Sequence, residues 1–209
     1  MKKSYLIYLL LTTLFLASCD KEEEILQEFS LENPDQFSNE DYKVYSAALS
    51  NYNTSELIVK QQTSNLTISA ETYQFVFQTE NSDSLDMNLY QNFVKANSGK
   101  SLLDQQIVVS DKIVKLISNN EYGFYFESHD THTAWNLFTE DYPNTTGYYL
   151  EVNKIAYNDD KTKALVGHQD YWFTESYGEN ETHKIGWITY LQKIEGQWRI
   201  IRSGTYNFL

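Results

Sequence analysis

The chain has 209 residues, of which 16 are basic and 29 are acidic, so its formal net charge is −13. This acidic balance argues against a nucleic acid partner and against a basic patch that grips anionic lipid. Cys19 is the single cysteine, which excludes an intrachain disulfide. The aromatic content of 15%, with only two prolines and eight glycines, is typical of a folded domain.

The first 18 residues have the pattern of a secretory signal. Lys2 and Lys3 precede an apolar run over residues 6–16, which is shorter than the about 20 residues that span a bilayer. The sequence Leu16-Ala17-Ser18-Cys19 resembles the lipobox of bacterial lipoproteins, whose cysteine carries palmitate-type acyl chains and begins the mature protein. We therefore expect a signal peptide over 1–18 and a lipid anchor on Cys19.

An acidic run over residues 20–24 follows the cysteine. It resembles the export signal that takes some gram-negative lipoproteins to the cell surface, and like charges also keep a linker extended. We expect a flexible acidic tether over 19–37 and a single globular domain over 38–209. The expected location is the outer membrane or the cell surface, with the membrane contacted through the lipid.

Helices and short strands are predicted for the first part of the domain. Ser38 and Asp41 fit a capping box, which predicts a helix over about 40–52. The β-branched run at residues 57–59 predicts a strand, as do the alternating aromatic residues over 73–77.

Apolar residues spaced by four predict a second helix over 85–97, with Gly99 as its C-cap. Residues 107–109 predict a strand, and residues 113–117 fit a helix or a strand equally. Asp130 is predicted to cap a further helix that stops before the next proline.

From residue 147 onward the chain is predicted to be β. The expected strands cover 148–157, 164–173, 184–194 and 197–203. A change of apolar face within the first strand predicts a bulge, Glu195-Gly196 predicts a tight hairpin, and the last four residues are expected to dock on the sheet. The fold class is therefore α+β, with N-terminal helices and short strands followed by a four-strand antiparallel meander. A curved sheet on helices, of the cystatin-like or NTF2-like kind, is one form of this order.

Several aromatic and turn positions recur in a known pattern. They are Tyr42–Ala47, Leu57–Val59, Gln62-Thr63, Trp135, Phe138, Tyr142-Pro143, Gly147, Tyr157–Asp159, Ala164–Val166, Leu191–Lys193, Gly196 and Trp198. Together they are similar to a family of uncharacterised bacterial lipoproteins, over most of residues 42–202. The resemblance implies a location in the cell envelope and a single domain, and it does not imply an enzymatic activity.

His129, Asp130 and His132 form the densest set of possible metal ligands. Imidazole and carboxylate groups suit zinc, but Asp130 is also explained as a helix N-cap. We predict no metal site and no cofactor, and keep these three residues as weak metal candidates.

His168 and Asp170 lie two apart on a predicted strand and therefore share a face. Such a pair could act as a general base with its orienting group, but no nucleophile is evident beside it. The alternative interpretation is that they are solvated or sheet-face residues.

Tyr171, Trp172, Tyr177 and Trp187 cluster around a long predicted loop over 174–182. Aromatic rings with polar edges suit ligand and protein interfaces, and long loops often carry function, although such rings are also common in cores. The leading hypothesis is a non-enzymatic lipoprotein that binds a ligand, a glycan or an envelope protein through this region. The alternatives are an extracytoplasmic hydrolase and an accessory subunit of an outer-membrane transport complex.

Overall fold

The computed structural model describes residues 28–77, 86–145, 147–176 and 179–206. The signal segment with Cys19, the acidic run after it, Tyr177 and the last three residues of the chain lie outside the described residues. The predictions of acylation and of a docked C-terminus beyond Tyr206 therefore stay predictions.

Five helices and seven strands make up the described part of the chain. The helices are α1 (Asn39–Ala48), α2 (Ala70–Phe77), α3 (Met87–Ala96), α4 (Asn119–Phe126) and α5 (Thr131–Asp141). The strands are β1 (Glu56–Lys60), β2 (Ile113–Ile117), β3 (Tyr148–Val152), β4 (Ala156–Tyr157), β5 (Lys163–Ser176), β6 (Glu179–Ile194) and β7 (Gln197–Tyr206). The predicted α+β class is confirmed.

All seven strands belong to one mixed sheet. Its order is β2-β1-β3-β5-β6-β7, with β4 paired to β5 beyond the end of β3. The strands from β3 onward pair antiparallel, which confirms the predicted meander, whereas β1 runs parallel to both β2 and β3. Residues 113–117, which fitted either element, form the edge strand β2.

Helices cover both faces of the sheet. In β1, Leu57 and Val59 belong to the core cluster beneath α1, and Ile58 between them belongs to the cluster beneath α4 and α5. This alternation follows from the two-residue period of a strand. Leu165 of β5 and Ile188 of β6 pack with α2 and α3 on the same side as Ile58.

The predicted helix caps are present. Ser38 and Asp41 form the capping box of α1, with the Ser38 hydroxyl accepting from the Asp41 N–H at 3.2 Å and the Asp41 carboxylate accepting from the Ser38 N–H at 2.7 Å. Asp130 caps α5 through the Thr133 N–H at 3.2 Å. Helix α1 ends at Ala48, four residues earlier than predicted, so Tyr52 lies in the loop that follows it.

Three local predictions are wrong. Residues 73–77 belong to helix α2, because Tyr73 and Phe77 are one helical turn apart and both are buried, whereas Phe75 is 80% exposed. Residues 107–109 form no strand, and the Val108 N–H donates to the Ser46 hydroxyl at 3.1 Å. Helix α3 is closed by Asn97, whose side-chain amide donates to the Phe93 carbonyl at 2.9 Å, and Gly99 is not its cap.

The long loop predicted over 174–182 is also wrong. Strands β5 and β6 continue to pair as far as Ser176 and Glu179, so only two residues connect them. Phe173 stacks on Trp135 at 6.3 Å between ring centroids, and the Trp135 indole donates to the Thr182 hydroxyl at 2.9 Å. These contacts with α5 hold the end of the β5–β6 ribbon in strand conformation.

The two predicted irregularities in the meander are present. Between β3 and β4, the three residues 153–155 lie opposite only two residues of β5, 166–167. The extra residue is the predicted bulge, and it accounts for the change of apolar face. Glu195 and Gly196 form the β6–β7 turn with positive φ angles of 51° and 81°.

The tether predicted over 19–37 is held against the domain in its described part. The Gln61 side chain donates to the Glu32 carbonyl at 2.8 Å and accepts from the Glu32 N–H at 2.9 Å. The Phe29 ring lies 5.4 Å from the ring of Phe124. This stretch follows the domain surface and does not hang free, because it finds both polar and aromatic partners there.

Candidate functional site

A cavity of about 240 Å³ opens between the end of α1 and the sheet. The helix end and the loop after it contribute Ala48, Asn51, Tyr52 and Asn53 to the lining. Strands β5, β6 and β7 contribute His168, Trp187, Thr189, Ile200 and Ser203. Ala48, His168 and Thr189 are buried and form the floor, whereas Asn51, Asn53 and Ser203 form an exposed rim. Tyr52, Trp187 and Ile200 are half-buried and form the walls.

Asp170 lies behind the cavity and connects two of its walls. Its Oδ1 accepts a hydrogen bond from the Tyr52 hydroxyl, and its Oδ2 accepts one from the Trp187 indole N–H at 2.8 Å. Burial raises the pKa of Asp170 to about 6, although both hydrogen bonds act to lower it. Burial also raises the pKa of Tyr52 well above its usual value, so the phenol keeps its proton.

His168 lies two residues before Asp170 and faces the same side of the sheet. Its side chain is buried, and its ring stacks on Trp187 at 6.0 Å between centroids with an angle of 14°. Burial lowers the pKa of His168 to about 3, so the ring is neutral at physiological pH. Its Nε2 is 3.8 Å from Oδ1 of Asp170, which is longer than a hydrogen bond.

The Nδ1 atom of His168 is buried and has no hydrogen-bond partner among the described residues. Buried polar side-chain atoms in folded proteins nearly always have one, so this atom is an exception. His168 is part of the cavity floor, but the Nδ1 atom itself is shielded from solvent.

Hydroxyl and amide groups supply the rest of the polar lining. The Thr189 and Ser203 hydroxyls lie 2.6 Å apart across β6 and β7. The side chains of Asn51 and Asn53 are exposed and line the cavity. Among those same residues, none with a charged side chain lines the cavity.

The structure does not bring the four predicted aromatic residues together. Trp187 lines the cavity, but Tyr171 points to the opposite face of the sheet, where it stacks on Tyr149 at 4.8 Å. Trp172 stacks on His183 at 5.6 Å on the ribbon, outside the cavity lining. The fourth, Tyr177, lies outside the described residues.

The weak metal candidates each have a local role. Asp130 caps α5, the His129 Nδ1 is 2.7 Å from the Phe124 carbonyl oxygen, and the His132 Nδ1 is 3.2 Å from the Asn136 amide nitrogen. No group of three or more His, Cys, Asp or Glu residues is placed to hold a metal ion in the described ranges.

Sequence reasoning identified part of this site. His168 and Asp170 share a face of the sheet, as predicted. Of the alternative, solvated or sheet-face residues, only solvation is wrong, since both side chains are largely buried. Tyr52 matched the apolar spacing of α1 and gave no sign of its bond to Asp170. Asn51, Asn53 and Ser203 carried no signal, because isolated polar residues in loops and on strand faces are common.

Comparison with protein-family models, with curated proteins and with solved structures gives no match to this chain. Among the residues that the structure describes, every helix is too short or too polar to cross a bilayer.

Proposed function

We propose that this chain is a lipid-anchored protein of the bacterial envelope that binds a small ligand in the cavity between α1 and the sheet. The observation that carries the binding role is an open volume of about 240 Å³, whose lining combines the apolar surfaces of Ile200 and Trp187 with the polar rim of Asn51, Asn53 and Ser203. A small molecule in this volume can contact the apolar wall and form hydrogen bonds with the rim.

The anchor rests on the N-terminal sequence. Leu16-Ala17-Ser18-Cys19 after a short apolar run supports acylation of Cys19, and two or more acyl chains hold a protein stably at a membrane. The acidic run after Cys19 supports display at the cell surface or in the outer membrane. The partners proposed on this basis are the membrane, through the lipid, and a ligand or glycan of the envelope.

The contacts of Asp170 favour binding over the hydrolase alternative. A general base needs a free nitrogen or oxygen that is oriented towards the reacting proton. Asp170 is not part of the cavity lining, the Nδ1 of His168 is shielded from solvent, and His168 is too far from Asp170 to be oriented by it. An imidazole whose pKa is about 3 is also a weak base at neutral pH.

Blocking the cavity tests the proposal. Ser203→Phe places a ring at the exposed rim, whereas Ile201→Phe adds the same ring on the same strand at a 48% exposed residue outside the lining. Ligand-observed NMR of the full chain in detergent, with a library of one-ring compounds at millimolar concentration, is expected to find compounds that bind the wild type and Ile201→Phe but not Ser203→Phe. A library with no binders, or with binders that ignore the Ser203 substitution, contradicts the proposal.

A further inference from the structure

Building on the proposed function, we infer that the ligand of the cavity is an uncharged sugar ring. The charge, the size and the hydrogen-bonding groups of the lining each restrict the chemical class of ligand that the cavity can bind.

The charge of the lining disfavours anionic ligands. Among the described residues the lining contains no Lys or Arg to pair with a carboxylate or phosphate, and the carboxylate of Asp170 lies behind the Trp187 wall. The whole chain has a net charge of −13, which adds a repulsive field. A cationic ligand gains little from Asp170, because this carboxylate is not part of the cavity lining.

The size of the cavity suits one ring. Its volume of about 240 Å³ lies below the roughly 300–1,000 Å³ of pockets for drug-sized molecules. The exposed rim leaves one side open, so the ring can be a free monosaccharide or the last residue of a glycan chain.

The lining combines an apolar wall with groups that can both donate and accept hydrogen bonds. The amides of Asn51 and Asn53 and the hydroxyls of Thr189 and Ser203 can each do both. A sugar offers such hydroxyls around its edge and a C–H face, which the half-buried Trp187 ring can contact.

Titration calorimetry of the full chain in detergent tests the sugar class. The probes are glucose, galactose, mannose and N-acetylglucosamine, their methyl glycosides, and glucuronate and galacturonate as anionic counterparts. At least one neutral sugar is expected to bind about tenfold more tightly than its uronate. Binding of the methyl glycoside as well as the free sugar identifies a chain end, and loss on methylation identifies a free monosaccharide.

Single-residue variants test whether the sugar binds in this cavity. Trp187→Ala is expected to weaken the best sugar about tenfold or more, whereas Trp172→Ala, which removes an indole from the same face of the sheet outside the lining, leaves it unchanged. Because Trp187 also bonds to Asp170, the second variant is Asn53→Ala, at an exposed rim residue, with an expected loss of about fivefold.

The outcomes separate the two proposals. Uronates that bind as tightly as neutral sugars overturn the sugar inference, as does a neutral sugar that is insensitive to both Trp187→Ala and Asn53→Ala. If one-ring compounds other than sugars bind and are blocked by Ser203→Phe, the sugar class is wrong while the binding function stands. If no compound of either panel binds, both proposals are wrong.

Discussion

The indole N–H of Trp187 donates to Oδ2 of Asp170 at 2.8 Å, between two neighbouring strands of the sheet. The other carboxylate oxygen accepts from the hydroxyl of Tyr52, which lies in the loop after α1. One buried carboxylate therefore ties a wall of the cavity that belongs to the sheet to a wall that belongs to a loop. Ionisation of the Asp170 carboxyl therefore changes the free energy of unfolding.

Asp170→Asn is expected to change how folding stability depends on pH. Burial raises the pKa of Asp170 to about 6, so between about pH 4 and about pH 6 the folded protein keeps a proton that the unfolded chain has lost. The stability that this carboxyl contributes is therefore full below about pH 4 and falls by up to about 3 kcal/mol as the pH rises to about 6. Urea denaturation measures the free energy of unfolding of both proteins across this range. The difference between wild type and variant is expected to fall with pH and then level off; a constant difference contradicts the prediction.

His168→Gln is expected to show the opposite sign. Burial lowers the pKa of His168 to about 3, so the unfolded chain takes up a proton below about pH 6.5 that the folded protein does not. The stability contributed by neutral His168 is present above about pH 6.5 and is lost as the pH falls towards about 3. In the same urea experiments, the excess stability of wild type over His168→Gln should grow as the pH rises. An excess that shrinks with rising pH would show that the histidine is charged in the folded protein.

Gly167→Ala is expected to destabilise the fold by about 2–3 kcal/mol. A Cβ at residue 167 would lie 2.4 Å from the side-chain oxygen of Asn153 and 3.3 Å from the ring of Phe93. Asn153 is fully buried and cannot yield freely, because its amide donates to the backbone carbonyl of Ser64 at 3.1 Å.

Gly99→Ala is the matched control for this substitution. A Cβ at residue 99 meets no atom within 4 Å, so its expected effect is a stabilisation of no more than about 0.5 kcal/mol. The urea denaturation midpoints of the two variants and the wild type make the comparison. Equal midpoints for both variants would mean that the Asn153 side chain repacks without cost.

Glu195→Asn is expected to stabilise the protein by about 0.5–1 kcal/mol. Glu195 has a φ of 51° and is followed by Gly196 at 81°, a turn in which Asn-Gly is the favoured pair. Thermal unfolding followed by circular dichroism measures the shift. Glu195→Gln removes the same charge without relieving the backbone strain at positive φ. An equal increase in melting temperature in that control would therefore assign the effect to charge.

Cys19→Ala is expected to remove the protein from the membrane fraction. If Cys19 carries acyl chains after cleavage at residue 18, the wild type incorporates labelled palmitate and its mature N-terminus is an acylated cysteine. Cell fractionation and mass spectrometry of the native protein measure both. An uncleaved, unmodified N-terminus in the cytosolic fraction of the wild type would rule out the anchor.

The sequence determined the features that depend on neighbours a few residues away. The capping box of Ser38 and Asp41, the cap at Asp130 and the Glu195-Gly196 turn all form through hydrogen bonds or backbone angles within a short stretch. The strands of the meander were also predicted, because alternating apolar residues mark a sheet with distinct faces.

Tertiary packing decided the rest. Residues 73–77 were predicted to form a strand, but burial of Tyr73 and Phe77 against the sheet selected a helix. Residues 174–182 were rich in polar residues and suggested a loop, but contacts with Trp135 on α5 sustain the ribbon. The cavity itself depends on Tyr52 reaching Asp170 across 118 residues of sequence. No local pattern encodes such a contact, because it exists only once α1 and the meander have packed together.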